Sequence, residues 1–521
     1  MTGHLGNARW APRLAALIGS AVAIAACGGA QRTTGAGAGS APGGGDAPAP
    51  AQVTIGVVQK VGSLDPDKAI EVAPLNVNHL LYGTLTEYKP DASGVRPGLA
   101  ETWSLSANKR VLSFKLRRGV KFSDGSPLTA KDVVASFTRF KQDKANVNVG
   151  TLAPIGKVVA VGAATVEFRL KSPYPSLPVL LAQPAFPVLP AGRVADASFY
   201  ANPVSAGPYK LQSFGGGSDI VLTRNALYPG PKPVVAKIRF VTIPDANARV
   251  AQLRSGQIDI ASDLGPALGA QLTGNVRALF VKQFSGIYLY VNNRVKPLDD
   301  VSVRQAISLA ADRARINEVT FNGKSQPLDD LFPTTMKWHR PTLDVKPDIA
   351  KAKALLKGTA CENGCSLKLM SRNGREAYQQ PGVVLKEDLK KIGIDLRIEQ
   401  VDNSVAGKRE YDGNYELEVG GLYDYADVPD GFLVYGAESD GGIFALYSGY
   451  KNAQMDAAAK KAIVSDGPER DAALGQVHQL FKRDMPYVPL VNYPLVVGTR
   501  LSSNAVTLAA SSFFEVAREQ A

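Results

Sequence analysis

Histidine and cysteine are scarce in this chain: 521 residues contain only His4, His79, His339 and His478, and only Cys27, Cys361 and Cys365. A zinc centre built from Cys and His clusters is therefore short of ligands. Basic runs are also missing, since none exceeds a pair such as Arg117-Arg118 or Lys390-Lys391. Lys and Arg are interleaved with acids, so the formal charge of +12 reads as solubility rather than as a nucleic-acid footprint. G-x-S-x-G, H-E-x-x-H and P-loop patterns are absent, which removes three common enzymatic signatures. With 45% hydrophobic and 20% charged residues, the chain is ordinary globular material, long enough for two or three domains with separate cores.

The apolar stretch nearest the N-terminus is short as well. Arg9 and Arg13 precede a run of thirteen residues, Leu14 to Ala26, that ends in Ile24-Ala25-Ala26-Cys27. As a helix it would span about 20 Å, too little for a bilayer core of roughly 30 Å, so an export signal is expected rather than a spanning anchor. The ending resembles the bacterial lipobox, with Ile24 in place of the commoner Leu. That resemblance implies cleavage before Cys27 and lipidation of its sulfur. Removal of Arg9 and Arg13 lowers the charge from +12 to +10. Gly28 to Ala51 is Gly, Ala, Ser and Pro with almost no bulk. It is a tether holding the next domain within about 25–30 Å of the membrane. In an oxidising compartment, Cys361 and Cys365 of CENGC are expected to close a small disulfide loop around Gly364.

What the chain does have is consistent local patterning. Leu112, Phe114 and Leu116 alternate with Ser113, Lys115 and Arg117, as in a strand with one buried face. Val120-Lys121-Phe122 repeats the alternation, and Ser123 to Pro127 is turn chemistry. Thr129 and Asp132 then form a capping box for a helix carrying Val133, Val134, Phe137 and Phe140. At 284–293, Ile287, Leu289 and Val291 share one face of a strand, and Tyr288 and Tyr290 share the other, where aromatic surface suits a ligand cleft. A strand at Leu367 to Leu369, a helix from Val384 to Lys391 and the alternation Ile394, Leu396, Ile398 give a βαβ unit, hence an α/β protein.

Three motifs go further. GLAETW followed by F-x-L-R-x-G-V-K-F-x-D-G-x-P-L-T-A-x-D-V-x-x-S within 96–140, Gly207-Pro208-Tyr209, and P-x-D-D-V-x-V-R-Q-A at 297–306 resemble the family 5 extracellular solute-binding proteins, the peptide and nickel receptors of ABC importers. The likeness implies a periplasmic-binding-protein-like α/β fold, two ligand-closing lobes joined by hinge strands with an extra domain inserted in the first. In those terms residues 1–26 are the leader and 27–51 the lipidated cysteine and linker. Segments 52–75, 195–283 and 486–521 form the first lobe, 76–194 the insertion and 284–485 the second lobe. The implied protein is an exported monomer, lipid-anchored at the periplasmic face of a bacterial membrane. It captures di- or oligopeptides for a membrane permease, with no cofactor, no metal, no nucleic acid and no enzymatic activity. Nickel, haem or an oligosaccharide are the alternative solutes, and the scarcity of histidine counts against nickel.

By the same resemblance Asp424, in GGLYDYADVPDGFL at 420–433, matches the carboxylate that binds a peptide's α-ammonium. Asp427 and Asp430 lie close enough to leave that register open. Glu71-Val72-Ala73 resembles the segment whose backbone pairs with bound peptide. Arg372 and Arg375 are candidate forks for a ligand carboxylate. The alternative of another class is a serine acylase built on Ser106-Ala107-Asn108-Lys109, with Lys357-Gly358-Thr359 as a faint further motif. Its serine should open a helix, whereas this tetrad sits in a turn, so the enzyme reading is disfavoured.

Overall fold

A computed structural model describes residues 49–69, 71–143, 146, 149–439 and 447–519. The expected leader, Cys27 and the tether up to residue 48 lie outside the described residues. Gln52–Val57 is buried from Val53 onward and forms the centre of a seven-stranded sheet. Lys237–Thr242 and Ile260–Ala261 flank it in parallel. Asp219–Arg224 and Tyr209–Gly215 extend one side antiparallel, and Leu495–Thr499 and Arg277–Val281 close the other. Parallel central strands buried on both faces are typical of layered α/β proteins.

Between the first strand and the return at Tyr209 stands a separate four-stranded antiparallel sheet, ordered Ala100–Leu105, Val111–Leu116, Thr165–Leu170, Ile155–Ala160. The alternating Phe114 and Phe168 point inward with their rings 5.5 Å apart, and Phe168 meets Phe137 of the helix Ala130–Gln142 edge to face at 4.9 Å. That helix starts on its capping box, where the Thr129 N–H donates to the Asp132 carboxylate at 2.7 Å. Val120 to Phe122 does not become a strand. The turn formers that follow reverse the chain at once, and only the bridge between Lys121 and Pro127 forms.

The second large sheet runs Ile394–Val401, Cys365–Arg372, Leu417–Asp424, Phe284–Val291, Tyr487–Asn492. Cys365–Arg372 and Ile394–Val401 are parallel, joined by the helix Glu376–Lys390 in a βαβ unit. The helix starts at Glu376 rather than Val384 and contains Pro381, because burial of Ala377, Pro381 and Leu385 offsets the hydrogen bond that proline removes. Every residue of Phe284–Val291 is buried, since its two faces enter different cores: Ile287, Leu289 and Val291 one, Tyr288 and Tyr290 the other.

The closing segment corrects the expected boundary at 486. Tyr487–Asn492 pairs with Phe284–Val291 in the second sheet, and only Leu495–Thr499 returns to the first. Pro494, which has no amide to continue a ladder, falls between them. The other crossing lies between Val281 and Phe284.

Cys361 and Cys365 are joined, their Cα atoms 4.9 Å apart, immediately ahead of the Cys365–Arg372 strand. A loop this short restrains the unfolded chain by about 2 kcal/mol. Replacing both cysteines with serine is therefore expected to lower the unfolding free energy by that amount in a urea titration. An unchanged midpoint would show that the bridge does not restrain the unfolded chain.

Candidate ligand-binding site

A cavity of about 650 Å³ is walled by Ala69 and Leu75 beside the first sheet, by Tyr174 and Gln183 of the inserted segment, and by the second sheet. The strand Leu417–Asp424 organises it. One edge of this strand pairs with Phe284–Val291 along its whole length, Asp424 standing opposite Phe284. The other edge meets Cys365–Arg372 only at Leu417 and Glu418. From Val419 onward that edge has no strand partner among the described residues, and Gly420 to Asp424 line the cavity. An open sheet edge presents alternating N–H and C=O groups to an extended chain. Gly421 leaves room for Tyr378, whose hydroxyl would stand 2.6 Å from a Cβ at that position.

Asp424 ends the strand and is buried. Its Oδ1 accepts from the backbone N–H groups of Tyr425 at 2.7 Å and Ala426 at 3.4 Å. Asp430, first residue of the helix Asp430–Gly436, is buried beside it. The Asp430 Oδ2 accepts from the Ser176 hydroxyl at 2.8 Å, while its Oδ1 has no partner among the described residues. Burial pushes Asp424 up to about 7, opposed by its backbone donors and assisted by the charge of Asp430. Burial likewise pushes Asp430 up to about 6, against the pull of Arg470 and the Ser176 hydrogen bond. Two desolvated carboxyls with no ion-pair partner among the described residues favour an incoming cation. Asp427 faces away: its carboxylate accepts from the Lys337 N–H at 3.2 Å and its carbonyl from the Trp338 ring N–H at 3.2 Å.

The other candidates separate clearly. Arg372 lines the cavity, but its fork is engaged: Nε donates to Glu418 at 2.6 Å and Nη2 reaches Glu410 at 2.5 Å. Arg375 also lines the cavity, 5.9 Å over the Tyr378 ring, and forms no ion pair among the described residues. Tyr288 does not reach the cavity. Its hydroxyl donates to the Leu331 carbonyl at 2.7 Å and its ring packs on Tyr487 at 5.4 Å. Tyr290, on the same face of that strand, does reach it, donating to the Gly421 carbonyl at 2.8 Å. Glu71 and Ala73 offer no extended edge, because Val72–Leu81 is helical and the Leu75 N–H bonds back to the Glu71 carbonyl at 3.2 Å. Ala69 and Leu75, on either side of them, line the cavity instead. The Ser106 hydroxyl donates to Asn108 at 2.8 Å while Lys109, in a turn, pairs with Asp466 at 2.5 Å, so no Ser-Lys dyad forms. Glu410, Glu418 and Ser176 were not legible as site residues, whereas Asp430 was one of the carboxylates that left the register of Asp424 open. One signal existed for Glu418, a charge between Leu417 and Val419 in an apolar strand.

Residues 94–442 match the family described as bacterial extracellular solute-binding proteins, family 5, middle. The dipeptide-binding protein of Escherichia coli K12 is 30% identical over 387 residues, 68% of this chain and 72% of that protein. The glutathione-binding protein GsiB of Salmonella choleraesuis is 27% identical over 474 residues, 86% of this chain and 91% of that protein. Among solved structures, the ABC transporter-associated periplasmic binding protein DppA from Helicobacter pylori, in complex with the peptide STSA, is similar with a TM-score of 0.74. It is 25% identical, over 89% of this chain and 96% of that one. By its matched sequence and its periplasmic-binding-protein architecture, this chain belongs to the family 5 extracellular solute-binding proteins of ABC importers.

Proposed function

We propose that this protein captures short peptides in the cavity and delivers them to an ABC permease. It acts as an exported monomer anchored through lipid on Cys27, with lobes that close over the ligand. The α-ammonium docks on Asp424, the main chain pairs along the open edge of Leu417–Asp424, and the terminal carboxylate turns to Arg375. The observation that carries this reading is a buried carboxylate without an ion-pair partner at the end of a strand whose free edge faces the cavity. A volume of 650 Å³ suits a small ligand held by a few placed polar groups. The peptides named for the related proteins support the same class.

Native mass spectrometry of gently purified protein from Gly28 onward tests this. Co-purifying peptides of narrow length range are expected; a metal, haem or sugar mass instead would overturn the reading. Arg375→Gln is expected to weaken a free-carboxylate peptide about tenfold, the value of one charged hydrogen bond, and its C-terminal amide hardly at all. Equal losses for both would remove Arg375 from that role. Affinity for a free amine should also rise up to about tenfold per pH unit towards about pH 7, as Asp424 ionises, and then level off. Calorimetry across that range checks it, and a flat profile would place the amine elsewhere.

A further inference from the structure

The end of Leu417–Asp424 opposite Asp424 carries a second charged group of residues. Glu418 and Asp424 lie on the same face, separated by roughly 20 Å at the usual strand rise. Arg372 is shared between Glu418 and Glu410, so two carboxylates meet one guanidinium at 2.6 and 2.5 Å. Glu418 is fully buried, and its Oε2 has no donor among the described residues. The buried Tyr415 hydroxyl nearby likewise has no hydrogen-bond partner among the described residues. Burial, then the neighbouring Glu410, hold the Glu418 carboxyl well above the usual carboxylate range, which favours its keeping a proton.

This group opens on the cavity, which Glu410, Arg372, Tyr290 and Tyr447 line at this end. Arg294 holds the Asn292 side chain at 3.0 Å and the Tyr447 carbonyl, and does not line the cavity. A neutral ligand end would leave the excess carboxyl as it is, and an anionic end would be repelled. A cation would let Glu418 release its proton, matching two positive groups to two negative ones. Tyrosine rings beside it suit both the methylene stem and the charged tip of a basic side chain.

The geometry points to a cation-accepting subsite at Glu410 that selects peptides carrying Lys or Arg beyond the N-terminal residue. It rests on the peptide reading above and adds a preference that reading does not require.

The test compares Ala-Ala-Lys and Ala-Lys-Ala with the same peptides acetylated on the lysine side chain, by calorimetry near neutral pH. At least one lysine peptide is expected to bind about tenfold or more tightly than its acetylated twin, and Glu410→Gln to bring that ratio towards one. Thermal unfolding verifies that the variant folds; if it does not, the ratio for the unaltered protein decides alone. Binding of all peptides with equal affinity would overturn the subsite while leaving the peptide reading intact. Binding of none would remove both.

Discussion

Asp424→Asn is expected to weaken free-amine peptides by about a hundredfold or more, the cost of removing one partner from a buried ion pair. The same change should stabilise the ligand-free protein. Burial holds the carboxyl at about 7 in the folded chain, against an ordinary value of 3.8. The folded state therefore keeps a proton that the unfolded chain has lost. Stability from this group is complete below the unfolded value and falls as pH rises through about 7. Above that the native protein carries an ionised, desolvated carboxylate at a cost on the order of 2–4 kcal/mol. Asparagine retains an acceptor for the Tyr425 and Ala426 N–H groups and carries no such cost. Urea unfolding of both proteins should thus show the variant more stable on the alkaline side, the gap closing towards acid. A variant less stable at every pH would mean that Asp424 serves the fold rather than the ligand.

Arg372→Leu should act in the opposite sense. It strands Glu418, fully buried, beside Glu410 with no guanidinium between them. Removing one partner of a buried ion cluster costs about 3–5 kcal/mol, enough to threaten folding of a marginally stable domain. Adding Glu410→Gln and Glu418→Gln to the same chain should restore much of the loss, because neutral amides need no counter-charge. Denaturant midpoints of the single and triple variants measure both effects. A loss near 1 kcal/mol would show the group to be solvated rather than buried.

These contrasts explain what could be read in advance. Strand and cap chemistry are local, so Leu112, Phe114 and Leu116 and the Thr129–Asp132 box carried their structure in sequence order. The site depends on what neighbouring strands contribute. Tyr288 and Tyr290 share a face and a residue type, yet only Tyr290 lies over Gly420, where a missing side chain leaves room for its ring. Arg372 looked like a free fork because its two glutamates are far along the chain, one on a helix and one on a strand. Glu71 to Ala73 resembled a segment that pairs with peptide backbone, yet the helix Val72–Leu81 already starts there, Pro74 being tolerated in its first turn. The crossing was misplaced because YVPLVNYPLVV is apolar apart from Asn492, and Asn492 and Pro494 alone mark the change of sheet.

The central claim, a peptide amine held on Asp424 at the end of an open strand edge, is tested most directly by native mass spectrometry with a mixed tripeptide library, half of it N-acetylated. Retained masses should all be free amines, with acetylated members absent and Asp424→Asn retaining neither. Acetylated and free peptides captured in equal measure would contradict the claim, as would a protein that passes over the whole library.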